Sequence, residues 1–177
     1  MVDRSHFFSQ IIASPAGQAL VERLAKGSAL SCAGVDLAGW AHLAATLRAQ
    51  TGRSILLIVN SLKIQETLQQ DLETWLSLLK VKAPAKFYPD WEVLPHEDKL
   101  PHADAISERL ETLQVLQEAK VAPVITTTVA ALMQCTLSPL EFTHRTRTLN
   151  QGDQLDPLDL IEWLEGQGYE PEAQVTQ

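Results

Sequence analysis

Phe87 to Leu116 reads FYPDWEVLPHEDKLPHADAISERLETLQVL, and the fold turns on how that run is parsed. Phe87-Tyr88 opens as a strand that Pro89 breaks at once. A loop carrying Asp90-Trp91-Glu92 and Pro95 follows, and Pro101 closes it against a helix. Along that helix Ile106, Leu110, Leu113 and Leu116 recur at spacings of three and four, which predicts one apolar stripe. Prolines and a tryptophan are costly in a loop unless the loop holds one shape. The stretch therefore reads as a rigid strand-to-helix connection, with Trp91 buried between the sheet and the helix from Pro101 to Glu118.

On the N-terminal side, residues 6–26 read as helical, with Ser14-Pro15 as cap and first position and Gly27 as terminator. Ser28 to Ala33 (SALSCA) reads as a short buried strand. Gly34 leads to a second helix with Leu37, Trp40, Ala41, Ala44 and Leu47 on its inner face. Ser54 to Asn60 (SILLIVN) is the strongest strand signal, and its five consecutive apolar residues suit a strand covered on both faces. Ser61 caps a helix bearing Ile64, Leu68, Leu72, Trp75, Leu76 and Leu79. Val121 to Thr127 predicts a further strand, with a short helix over Val129 to Gln134. Strand and helix thus alternate four times, which argues for an open α/β fold: a Rossmann-like, mostly parallel sheet with flanking helices.

The pattern changes after Pro139. Glu141 to Leu149 (EFTHRTRTL) alternates with period two and predicts a half-exposed antiparallel strand. Asp156-Pro157-Leu158-Asp159 starts a helix that Gly166 or Gly168 ends. One strand and one helix cannot bury their apolar faces alone. The organisation expected is a first domain over residues 1–139 and the truncated start of a small α+β domain over residues 140–177.

Charge bounds the partners. Lys plus Arg total 14 against 22 acids, a formal net charge of −8, so this chain has no electrostatic pull on phosphate backbones. Protein partners are expected instead. Cys32 and Cys135 sit in apolar surroundings, form no CxxC pair and read as buried cytosolic thiols rather than a disulfide or metal site. No signal peptide and no apolar run of membrane-spanning length is visible, which makes the expected location cytoplasmic.

The chemistry-bearing motifs are conspicuous by what they lack. The loop taken as following the first strand, Cys32 to Gly39, has no Gly-Lys-Ser/Thr and no GxGxxG, and Asp36 would repel a phosphate. No apolar strand ends in a paired acid suited to magnesium. His96, Glu97, Asp98 and His102 are not spaced as an HExxH helix face, and GxSxG does not occur. Arg109 is expected to pair with an acid, and Ser107 and Glu108 to face solvent. No catalytic, cofactor-binding or metal-binding residue is assigned. A small-molecule or nucleotide-processing α/β enzyme is the alternative, with Asp36, Asn60 and Thr127 lining a pocket beyond the strand ends.

The central run resembles a signature of the bacterial transcription-repair coupling factor family (Mfd). The residues that carry it are Asp90-Trp91-Glu92, Leu94-Pro95, Pro101-His102, and Ile106-Ser107-Glu108-Arg109-Leu110 with Leu113. Val124 to Met133, and Gly152, Leu155, Leu158, Leu164, Gly168 and Tyr169, resemble later segments of that family. The resemblance implies a degenerate RecA-like first domain, similar to that of the damage-recognition protein UvrB but lacking a working ATP site. It also implies a second domain of the kind that docks onto UvrA. Parent proteins of that family are ATP-dependent DNA translocases that displace stalled RNA polymerase and recruit excision repair. ATP and magnesium belong to their motor domains, and polymerase and DNA to later domains. The family's UvrA contacts lie in a segment after residue 177, so none is assigned here. UvrB itself is excluded by the absent phosphate loop and by a Val93–Lys99 segment too short for its DNA-clamping hairpin.

Overall fold

The computed structural model describes residues 13–93, 99–118 and 120–172. These fall into two units, Met1–Cys135 and Thr136–Gln177. The first unit begins with α1 (Pro15–Ala25), where the Ser14 hydroxyl accepts the Gly17 amide and Pro15 fills the first helical position. Residues 6–12 of the expected helix lie outside the described residues. The strand expected over Ser28 to Ala33 does not form; that segment is irregular, with only Leu30 and Cys32 half-buried. Small side chains supply too little apolar surface there to hold a strand against a sheet. The reading of both cysteines as buried is corrected with it: Cys32 is half-buried and Cys135, after the last helix of this unit, is exposed.

Asp36 caps α2 (Leu37–Thr51), its carboxylate accepting the Leu37 amide at 2.7 Å. Gly52 ends that helix at φ 66°, a left-handed turn glycine makes without a Cβ penalty, and its amide donates to Arg48 O. Ala41, Ala44 and Ala45 form the buried side of α2, whereas Leu37 and Trp40, expected on the inner face, are exposed. Then follow β1 (Ile55–Val59), α3 (Leu62–Leu78), β2 (Ala85–Tyr88), α4 (Ala103–Glu118), β3 (Val124–Thr128) and α5 (Val129–Met133).

Among the described residues the sheet has three strands in the order β1-β3-β2, all parallel, rather than the four expected. The register sets Ile55, Leu57 and Val59 beside Val124, Thr126 and Thr128. On this face Leu68, Leu72 and Leu76 of α3 and the α2 alanines close the main core. Each fully buried leucine contributes about 1.5–3 kcal/mol relative to exposure.

On the opposite face Tyr88, Ile125 and Ala131 pack with Leu113 of α4. That cover stops short of β1, so Leu56 and Ile58 remain 48% and 53% exposed. The reading of β1 as covered on both faces is corrected accordingly. The strand buried at every position is β3, flanked by a neighbour on each side.

In the second unit the expected strand over Glu141 to Leu149 is replaced by a helix, α6 (Pro139–His144). Ser138 and Glu141 form a reciprocal capping box with Pro139 in the first turn, and that local hydrogen bonding overrides the period-two alternation. Phe142 is buried. The last helix, α7 (Pro157–Gly166), starts at the Asp156 cap as expected but buries no residue. No helix among the described residues is long and apolar enough to cross a membrane.

Candidate functional site

Of the signature residues, Asp90, Trp91 and Arg109 meet where β2 runs out. Pro89 ends the strand, and the Asp90 carboxylate accepts the Glu92 amide at 3.0 Å, folding the loop back on itself. Glu92 takes φ 52°, a left-handed conformation unfavourable for a side-chain-bearing residue and retained where surrounding contacts fix it. Those contacts are visible. Thr128 at the end of β3 donates to the other Asp90 oxygen at 3.2 Å and accepts the Ala131 amide, so one hydroxyl ties the loop to the start of α5.

Arg109 holds the loop from the helix side. It is 1% exposed and lies between two aromatic rings, its guanidinium carbon 4.2 Å from the Tyr88 centroid and 4.1 Å from that of Trp91. Its Nη1 donates to Pro89 O at 2.8 Å and to Gln134 Oε1 at 3.2 Å. The same Gln134 oxygen accepts the Trp91 amide at 3.0 Å. Nε and Nη2 take no hydrogen bond among the described residues, so their charge is met by the two ring faces. Burial lowers the pKa of Arg109 while Tyr88 and Asp90 oppose the shift; a guanidinium stays charged in either case.

This corrects two expectations. Arg109 is paired with carbonyl oxygens and aromatic faces, and among the described residues it makes no salt bridge to an acid. Trp91 is half-buried and stacks on Arg109, rather than being buried between sheet and helix.

The helix face is corrected as well. Ala105, Arg109 and Thr112 are the buried side of α4, with the Thr112 hydroxyl donating to Phe87 O at 3.1 Å and to Glu108 O. Of the expected stripe, Ile106 and Leu113 are half-buried while Leu110 and Leu116 are exposed. Leu94 and Pro95, together with His96, Glu97 and Asp98, lie outside the described residues.

Beside the loop runs a groove of about 430 Å³ between α3 and α4. Glu66, Glu73, Glu92, Asp104 and Glu108 line it, with His102. Burial pushes the Glu108 carboxyl up, and the neighbouring Asp104 and Glu111 charges push it further, so the groove is a place of negative potential hostile to phosphate. Ser107 is exposed as expected, whereas Glu108 is half-buried. No group of three or more His, Cys, Asp or Glu side chains placed to hold a metal occurs among the described residues.

The loop judged for phosphate binding also needs relocation. Because Ser28 to Ala33 forms no strand, the first strand-to-helix turn is Asn60-Ser61, and there the Ser61 hydroxyl accepts the Ile64 amide as helix cap. That turn has no glycine. Asp36, Asn60 and Thr127 are each engaged separately. Asp36 caps α2, Asn60 lines an apolar groove along β1, and Thr127 is fully buried with its hydroxyl donating to Tyr88 O at 2.9 Å. Chemically, the arrangement is a clamp: the Arg109 cation, the Gln134 carboxamide and the Thr128 hydroxyl fix the shape of the loop. Sequence reading found Asp90, Trp91 and Arg109 but missed Gln134 and Thr128, whose side chains reach the loop only through the fold.

No family model matches the chain. Over 90 residues, 51% of its length, it is 34% identical to the transcription-repair-coupling factor of Haemophilus influenzae, and the match covers 8% of that protein. This similarity supports a relationship between the matched part of the chain and transcription-repair coupling factors, and with it a DNA-repair setting.

Proposed function

We propose that this chain is a non-catalytic scaffold and partner-docking module of a transcription-repair coupling factor. The observation that carries the reading is the 34% identity to such a factor across half the chain. The clamp geometry supports it, because the residues at the carboxyl ends of β2 and β3, where open α/β sheets bind ligands, are spent on one another. On this reading the first unit is a RecA-like domain that presents a shaped surface and hydrolyses nothing. The second unit belongs to a domain that docks onto UvrA. ATP and magnesium serve motor domains elsewhere in the parent translocase, and later domains of that parent carry the contacts to RNA polymerase and DNA.

Sequencing the gene downstream of codon 177 tests this directly. Helicase-type motor motifs in the continuing frame are expected. A frame that continues into an unrelated catalytic domain would overturn the assignment.

A further inference from the structure

We draw no further inference here: the strongest candidate, the acidic groove between α3 and α4 lined by Glu66, Glu73, Glu92, Asp104 and Glu108, is a cluster of carboxylates and nothing in the structure shows what it holds.

Discussion

Replacing Arg109 by alanine is expected to cost about 3–5 kcal/mol of unfolding free energy, the range for dismantling a buried charged network. Three losses add up. Pro89 O and Gln134 Oε1 each lose a donor, the Tyr88 and Trp91 rings lose the cation between them, and a cavity opens beneath the loop. Arg109→Met refills the volume and leaves chiefly Pro89 O without its donor, since Gln134 Oε1 keeps the Trp91 amide, so it should lose less, about 2 kcal/mol. Urea unfolding of the two variants against the parent measures both. A loss below about 1 kcal/mol for Arg109→Ala would mean that the clamp contributes little to holding the loop.

Leu72→Ala should cost about 2–5 kcal/mol, because Leu72 is fully buried where α3 meets the sheet and α2. The same truncation at Leu110, which is exposed on α4, should cost under about 1 kcal/mol. The contrast matters because the bare sequence ranks both leucines as core. A shift of the denaturation midpoint at unchanged slope is the expected form of the Leu72 result. Equal losses at the two positions would contradict the placement of the buried face of α4 on Ala105, Arg109 and Thr112.

Much of the fold was legible where one local rule acted alone. Ser14-Pro15, Ser61 and Asp156-Pro157 announced their helices through capping, and Ile55 to Val59 announced a strand through uninterrupted β-branched and aliphatic residues. Reading failed where two rules competed. Glu141 to Leu149 alternates like a strand, yet the Ser138–Glu141 capping box nucleates a helix. The leucine stripe of α4 marks its apolar side, yet the sheet-facing side is polar and hydrogen-bonded through Arg109 and Thr112. Hydropathy cannot register a cation buried between two rings. The clamp was therefore half visible: Asp90, Trp91 and Arg109 stand close in sequence, whereas Thr128 and Gln134 join them only through the pairing of β2 with β3. Whether β1 lies inside a sheet or at its edge depends on strand order, which five apolar residues do not encode.

The central proposal is that the sheet serves as a shaped surface and binds no nucleotide. The Asn60-Ser61 turn has no glycine, Asp36 guards the N-terminus of α2, and the ends of β2 and β3 are hydrogen-bonded to each other. Isothermal titration of the full chain with ATP and magnesium tests it most directly. The account predicts no saturable heat up to millimolar nucleotide, and stoichiometric binding at micromolar affinity would contradict it.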